Sequence, residues 1–285
     1  MFIQTTTVHP VAHLIADFAV NALMEEVQLT PKPGLVDRDG NGCHYDLNLL
    51  LMEKSALALR PTFYEMSLAG SDKEPSQKLR EQLGAIGRYG EEQMLMVTGN
   101  VNTHKGSIWC LGLLTAATSM LISREEDFYI SDIIHNAALI AKFEDRNLKK
   151  SITNGALVTQ KYQVISAREQ AILGFPALTG AGLPAWKKYQ NEPEDVRRIN
   201  VLLALIAVLD DTCILHRSDM VVLNHIKQSA KVILEGGGFS VPPNKSRYQN
   251  LINYMSRKWV SPGGSADMLA ACIFINKIAN HFKIN

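Results

Sequence analysis

The chain has 285 residues, of which 46% are hydrophobic and 20% are charged. This is enough apolar material for the core of one large domain or two small ones, and too much for a disordered chain. Its 29 Lys and Arg nearly balance its 28 Asp and Glu, which gives a net charge of +1 and excludes the general electrostatic affinity of a protein that binds nucleic acid or anionic membranes. No apolar run approaches the roughly 20 residues that a membrane span needs.

Apolar residues recur at spacings of three and four, which predicts amphipathic helices. The first covers residues 11–29 and ends before Pro31. Further helices are predicted around 79–94, 108–121, 130–143, 199–215, 221–234, 246–259 and 266–282. Residues 201–209 are apolar on every face, as in a helix surrounded by other helices. We therefore predict an all-α fold, a single helical domain over residues 1–285 built around a buried central helix near residues 199–217. The best strand candidate, 162–165, is short.

The cysteines and the N-terminal residues indicate the compartment. The cysteines are far apart and form no CxxC pair, which is typical of reduced thiols and argues against a disulfide framework or a structural zinc site. Residues 1–7 lack the basic and apolar regions of a signal peptide. We therefore expect a cytoplasmic protein.

Polar residues are concentrated at the end of the first helix and in the loop after it. Glu26 lies within the apolar stripe of that helix, so its carboxylate is predicted to point inward, where it needs a partner. The loop offers cations in Lys32 and Arg38, and further polar ligands in Asp37, His44 and Asp46. Carboxylate oxygens suit Mg²⁺. The alternative is an ordinary surface loop in which Asp46 caps the next helix.

Three further segments have features of an anion site. Lys105 lies at a predicted helix start, where free backbone N–H groups and a cation suit a phosphate. Gly263, Gly264 and Ser265 precede the last helix and allow close approach to an anion. Arg168 could hold a phosphate or pair with a neighbouring Glu. The alternatives for the two helix starts are plain caps at Thr103 and Ser265.

Two carboxylates continue the apolar helix predicted over 199–215. Asp210 and Asp211 are costly on a helix with no clear solvent face, unless they bind a cation or act as a base. The alternative is that the helix emerges into solvent at this point, with both side chains outside.

Taken together and in this order, these segments resemble the triphosphoribosyl-dephospho-coenzyme A synthase family, which makes the prosthetic-group precursor of citrate lyase and malonate decarboxylase. The similar segments are 26–38, with the sequence EVQLTPKPGLVDR, and 41–46, 102–106, 167–176, 211–217 and 261–267. The chain departs from the family pattern at Gln170, Cys213 and Ser218, where a carboxylate, an asparagine and a glycine are usual.

The resemblance implies a ribosyl transfer. Family members take ATP and 3'-dephospho-CoA, release adenine, and join C1 of the triphosphorylated ribose to the 2'-hydroxyl of dephospho-CoA with inversion. The implied phosphate ligands are Lys32, Arg38, Lys105, Arg168 and Arg217, with the backbone at Gly263, Gly264 and Ser265. Asp37, Asp46 and Asp211 are the implied ligands of a Mg²⁺ that accompanies ATP. For the general base we favour Glu26 over His44, His104 and Asp267, because burial would raise its pKa.

Two other functions are compatible with these residues. Aspartates on inward helix faces also serve Mg²⁺-dependent hydrolases of nucleotides or ribosyl compounds, in which water replaces the hydroxyl acceptor. The departures at 170, 213 and 218 would also suit a non-catalytic helical binding protein, such as an assembly partner of the lyase or decarboxylase.

Overall fold

The computed structural model describes residues 5–148 and 153–284, and side chains from Pro10 onwards. These residues form fourteen α-helices and no strand, which confirms the all-α prediction. The helices are α1 (Thr5–Gln28), α2 (Leu49–Ala58), α3 (Arg60–Gly70), α4 (Gln77–Thr98), α5 (Lys105–Ile122), α6 (Ile130–Lys142), α7 (Asn154–Tyr162), α8 (Ala167–Ile172), α9 (Leu183–Lys188), α10 (Glu194–Val208), α11 (Thr212–Arg217), α12 (Met220–Glu235), α13 (Pro242–Lys258) and α14 (Gly263–Phe282). A short π-helix, Leu178–Gly182, leads into α9.

The helices pack around one hydrophobic core. Helix α5 packs against α1, α3, α4, α6 and α14, while α14 also contacts α1 and α10. Residues 110–121 of α5 are buried throughout, as are residues 199–206 of α10. The core is therefore shared by α5, α10 and α14, rather than built around one central helix. That the whole of residues 1–285 is one catalytic domain stays a prediction.

Helix α5 is also the one described helix that is apolar enough over a sufficient length to cross a membrane. Its mean hydropathy is 1.3, and 78% of it is buried inside the protein. The core helix of a folded domain has the same length and composition, so its hydropathy is weak evidence for a membrane span.

The helix predicted over 199–215 is broken, and this part of the prediction is wrong. Helix α10 ends at Val208, Leu209 is extended with φ −74° and ψ 133°, and α11 begins after Asp211, whose side chain accepts the backbone N–H of Cys213 at 2.9 Å. The break places Asp211 at a helix N-terminus, where its carboxylate meets N–H groups, instead of in the middle of an apolar helix where it would have none.

Two smaller predictions are also wrong, and for local reasons. Residues 162–165 form no strand, because Tyr162 ends α7 and Gln163 caps it in the left-handed conformation at φ 57°. The alternative capping roles also fall elsewhere. The N-caps of α2, α5 and α14 are Asn48, His104 and Pro262, and not Asp46, Thr103 and Ser265.

Candidate active site

The loop between α1 and α2 is folded back onto the end of α13. Asp37 accepts the backbone N–H of Lys32 at 2.7 Å, and Tyr248 donates its hydroxyl to the carbonyl of Pro31 at 2.7 Å. Gly34 has φ 70°, and a side chain at this position would overlap the carbonyl oxygen of Val260. The loop is therefore a packed part of the protein, with Lys32 and Asp37 both buried.

Glu26 and Lys32 form a buried ion pair inside this loop. Lys32 Nζ lies 2.7 Å from Glu26 Oε1 and 2.6 Å from the Glu26 backbone oxygen, and the two side chains are 1% and 5% exposed. The prediction that Glu26 points inward is confirmed. Its carboxylate is already neutralised by a lysine.

His104, at the start of α5, is a buried and uncharged histidine. Its Nδ1 lies 2.9 Å from Ser55 Oγ, and its Nε2 has no hydrogen-bond partner among the described residues. Loss of solvent and, secondly, the positive charge of Lys32 lower the pKa of His104 to about 3. The imidazole is therefore neutral at physiological pH, with one free nitrogen.

Asp211 ties the break between α10 and α11 to the start of α14. Its Oδ2 accepts the backbone N–H and the hydroxyl of Ser265 at 2.8 and 2.9 Å, and its Oδ1 accepts the N–H of Gly264 at 3.3 Å. Burial raises the pKa of Asp211, while these hydrogen bonds act in the opposite direction. The N–H groups of Gly264 and Ser265 at the start of α14 thus hold a carboxylate of the protein itself, whereas the prediction for this segment was a phosphate of the substrate.

Asp267 lies one turn into α14 and faces the first turn of α5. Ser107 donates its hydroxyl to Asp267 Oδ1, and Oδ2 lies against Gly106, where any Cβ would overlap it. Loss of solvent around the carboxylate raises the pKa of Asp267 to about 7, with the negative charges of Glu26 and Asp211 adding to the effect and Ser107 opposing it.

These residues form one group, which we call the carboxylate cluster: Glu26, Lys32, His104, Asp211 and Asp267. Four of them are at most 4% exposed. Asp267 differs because the residue keeps intermediate exposure, and Ser107 donates its hydroxyl to the carboxylate. Predicted site residues from segments that are far apart in the sequence therefore lie together in this cluster.

A cavity of about 320 Å³ lies on the other side of the first turn of α5, between α4 and α5. Its cations are Arg80, Arg88, Lys105 and Arg168, and we call it the cationic cavity. Its carboxylates are Glu91, which lies 2.8 Å from Lys105 Nζ, and Asp145, which pairs with Arg88. Gly106 lines the cavity and also touches Asp267, so the cavity and the carboxylate cluster meet at the first turn of α5.

The cationic cavity combines two predicted residues with three that lie outside the sequence motifs. Lys105 and Arg168 were predicted phosphate ligands, whereas Arg80, Arg88 and Asp145 were not singled out. A signal was present in α4. Positions 80, 84, 87 and 88 share one helix face, and they carry two arginines and two glycines where an apolar stripe would be expected.

The other predicted site residues lie outside the cavity. Arg38 is exposed, and Arg217 donates to the carbonyl of Cys43 at 2.7 Å. His44 lies 3.3 Å from Arg217, and burial followed by this charge lowers the pKa of His44 to about 4. The side chain of Asp46 is 65% exposed. These residues line the loop between α1 and α2 where it meets α11.

The predicted magnesium ligands do not form a metal site. Asp37 accepts backbone N–H groups of Lys32 and Asp39 at 2.7 and 2.9 Å, and the oxygens of Asp211 are occupied in the same way. In residues 5–148 and 153–284, no three His, Cys, Asp or Glu are grouped to hold a metal ion. The donor set therefore does not fit a magnesium ion held by Asp37, Asp46 and Asp211 together.

Comparison with known sequences finds one family and several relatives that cover most of the chain. Residues 12–285 match the sequence profile of the ATP:dephospho-CoA triphosphoribosyl transferase family. A relative from Pseudomonas fluorescens, described as a probable 2-(5''-triphosphoribosyl)-3'-dephosphocoenzyme-A synthase, is 42% identical over 280 residues, which is 96% of this chain and 94% of the relative.

Two further relatives have equally broad coverage. A protein from Stutzerimonas stutzeri with the same description is 42% identical over 94% of this chain and 92% of its own length. The 2-(5''-triphosphoribosyl)-3'-dephosphocoenzyme-A synthase of Klebsiella pneumoniae is 39% identical over 93% of this chain and 94% of its own length. No solved structure matches the chain.

Proposed function

Because the chain belongs to the ATP:dephospho-CoA triphosphoribosyl transferase family, we propose that it makes triphosphoribosyl-dephospho-CoA from ATP and 3'-dephospho-CoA and releases adenine. One observation carries the proposal at the level of the site. The first turn of α5 has carboxylates on one side and a cavity with four cations on the other. A ribosyl transfer from ATP needs both, a base for the attacking hydroxyl and cations for the triphosphate.

We assign the general base to Asp267 instead of Glu26. Oε1 of Glu26 is already paired with Lys32 Nζ at 2.7 Å, and both side chains are buried. Asp267 is partly exposed, and its pKa of about 7 lets it take up a proton near neutral pH. A base with a pKa near the working pH is the efficient choice.

The proposed step forms one C–O bond, breaks one C–N bond and transfers one proton. The 2'-hydroxyl oxygen of dephospho-CoA attacks C1 of the ATP ribose, and Asp267 takes up the proton of that hydroxyl. The bond between C1 and the adenine nitrogen breaks, and adenine leaves with its electron pair, to be protonated afterwards. Direct attack on the β-nucleoside gives an α linkage, as in other inverting glycosyl transfers.

His104 acts in this proposal as a neutral hydrogen-bonding group. Its pKa of about 3 rules out a proton donor at neutral pH. Its free Nε2 lies in the same cluster as Asp267, and a buried polar atom without a partner costs free energy that a bound ligand recovers. We assign this nitrogen to a polar group of the bound nucleotide.

Three further expectations belong to this proposal. We expect Mg²⁺ to reach the enzyme as the complex with ATP, because a triphosphate commonly binds in this form and the carboxylates of Asp37 and Asp211 are engaged by N–H groups of the protein. We expect the reaction to take place in the cytoplasm. We also expect the product to serve a citrate lyase or malonate decarboxylase, and the enzyme to contact the assembly proteins of that complex.

Adenine release tests the function directly. The purified chain is incubated with ATP and Mg²⁺, with and without 3'-dephospho-CoA, and adenine and the coupled product are measured by chromatography and mass spectrometry. Adenine release that requires the acceptor and is matched by the product supports the transferase. Release without acceptor would identify a hydrolase, and saturable ATP binding without any product would identify a binding protein.

A further inference from the structure

We propose that the cationic cavity between α4 and α5 binds the triphosphate of the nucleotide donor. Asp145 is the internal counter-ion of two arginines, and the bound phosphates partly replace it in that role. The inference rests on the proposed function, because it assigns the donor of that reaction to a place. It concerns Arg80, Arg88 and Asp145, which neither the sequence motifs nor the carboxylate cluster includes.

Arg80 is a buried cation with unused hydrogen-bonding capacity. The residue is 7% exposed, its guanidinium lies 4.9 Å from the centre of the Trp109 ring, and its Nη1 lies 3.7 Å from Asp145 Oδ2. Its Nε is buried and finds no acceptor in the described part of the chain. Burial lowers the pKa of Arg80 and the charge of Asp145 opposes this, while the charges of Arg168 and Arg88 act in the same direction as burial. A guanidinium in this position is stabilised by any added anion.

The cavity as a whole carries an excess of positive charge. Four cations line it, against the two carboxylates Asp145 and Glu91. The Asp145 side chain is 2% exposed and serves Arg80 and Arg88 together, so one carboxylate is shared by two guanidinium groups. Arginine forks match the geometry of phosphate oxygens, and a linear polyphosphate supplies the missing negative charge.

The size and walls of the cavity suit a part of a nucleotide. Its volume of about 320 Å³ is at the lower end of the roughly 300–1,000 Å³ of ligand sites. Gly84, Gly87 and Gly112 line it, and the absence of a side chain at Gly84 lets the Asp145 carboxylate lie against α4, because a Cβ there would overlap Asp145 Oδ2. The remaining walls are apolar, with Met66, Leu83, Ile108, Trp109 and Leu113, and apolar walls exclude water and strengthen the attraction between cations and phosphate.

Inorganic tripolyphosphate is the probe, and isothermal titration calorimetry measures its affinity. Arg88→Gln should weaken binding by about 10- to 100-fold, because hydrogen bonds to a charged partner are lost. Arg80→Gln and Arg168→Gln should weaken it in the same direction. Arg124→Gln is the matched control, because Arg124 is also paired with a carboxylate and its side chain is 33% exposed, as is that of Arg88. Equal affinities in wild type, Arg88→Gln and Arg80→Gln would overturn the proposal.

Asp145→Asn should strengthen tripolyphosphate binding, which a damaged fold would not do. Removal of the internal counter-ion should tighten tripolyphosphate binding, on the order of 10-fold, because a carboxylate no longer competes with the phosphates. Circular dichroism checks that the variant is folded. Unchanged or weaker binding by a folded Asp145→Asn would contradict the role of Asp145.

Competition separates the two substrates, both of which contain polyphosphate. ATP should displace tripolyphosphate, and 3'-dephospho-CoA, with its diphosphate, should not; the reverse order would assign the cavity to the acceptor and overturn the proposal.

Adenine release by wild type is measured separately, to distinguish failure of the cavity assignment from failure of the proposed function. If wild type turns over while Arg88→Gln keeps its KM for ATP, the cavity assignment fails and the function stands. If arginine-dependent tripolyphosphate binding occurs without turnover, the function fails and the phosphate site stands.

Discussion

At the scale of single residues, Asp267 and His104 show how the same environment moves two pKa values in opposite directions. Loss of solvent favours the uncharged form of both, so the pKa of the carboxyl rises to about 7 and that of the imidazole falls to about 3. The sequence indicated Glu26, His104 and Asp267 as candidates. It could not show their surroundings, because these depend on Lys32 pairing with Glu26 and on the Ser107 hydroxyl meeting Asp267.

Asp267→Asn should abolish most turnover. Loss of a general base costs about 10²- to 10⁴-fold in rate, and we expect this loss in kcat for adenine release, with tripolyphosphate affinity retained. In wild type, kcat should fall as the pH falls below about 7, because Asp267 takes up a proton. Glu26→Gln is the comparison. If a folded Glu26→Gln loses turnover while Asp267→Asn keeps it, the base is Glu26.

The stability of the protein should depend on pH in a way that His104→Gln changes. The folded-state pKa of His104 is depressed, so its contribution is present above the unfolded pKa of 6.5 and is lost as the pH falls towards 3. The folded-state pKa of Asp267 is raised, so its contribution is present below 3.8 and is lost as the pH rises through about 7. Between pH 4 and 6.5 the two effects oppose each other.

We therefore expect His104→Gln to gain stability relative to wild type as the pH falls from 6.5 to 5, by at most about 1.4 kcal/mol per pH unit. Asp267→Asn should lose stability relative to wild type over the same interval. Urea unfolding at both pH values measures the difference, and the exposed His225→Gln is the control. A pH-independent difference between His104→Gln and wild type would contradict the buried, neutral imidazole.

At the scale of elements, the first turn of α5 connects the two parts of the site. His104 belongs to the carboxylate cluster, and Ser107 contacts Asp267 of that cluster. Lys105 and Trp109 line the cationic cavity, and Gly106 touches both the cavity and Asp267. The position of α5 could be predicted from the helical period of its apolar residues. The motif around Lys105 indicated a site at the start of this helix. Periodicity carries no information on which helix packs against it, so the contribution of α4 could be found only in the structure.

Gly106→Ala tests this element. The added Cβ would overlap Asp267 Oδ2, so we expect a loss of about 1–3 kcal/mol in the free energy of unfolding and reduced turnover, because the carboxylate must move. Gly155→Ala is the matched control, since both glycines are the second residue of a helix and the nearest atom to a Cβ at 155 lies at 3.9 Å. Equal effects of the two substitutions on kcat would argue against contact between Gly106 and Asp267.

At the scale of the whole molecule, the site is assembled from segments that are far apart in the chain. Glu26 and Asp267 are neighbours, although 240 positions separate them, and Asp211 holds the start of α14 against the end of α10. The order of the motifs predicted that these segments belong together. The break at Leu209 could not be predicted from residues 199–215, because its cause is the set of N–H donors that α14 brings to Asp211.

Asp211→Asn should therefore destabilise the whole protein. An amide places an N–H group against the N–H groups of Gly264 and Ser265, and we expect a loss of about 2–3 kcal/mol in the free energy of unfolding, measured with urea. Asp210→Asn is the neighbouring control, because Asp210 is 38% exposed and pairs with Lys227 near the surface, a contact worth less than about 1 kcal/mol. A loss from Asp211→Asn no larger than that of the control would refute this role.

The deep burial of α5 also sets a length for the donor substrate. Residues 110–121 of this helix are enclosed on all sides, and protein interiors are packed too tightly to shift by the length of a phosphate group. The cations and Asp267 are thus a fixed distance apart, which the ribose and its phosphates must span. ADP, one phosphate shorter, would hold its C1 away from the acceptor, and we expect kcat/KM for adenine release from ADP to lie well below that from ATP in a side-by-side assay.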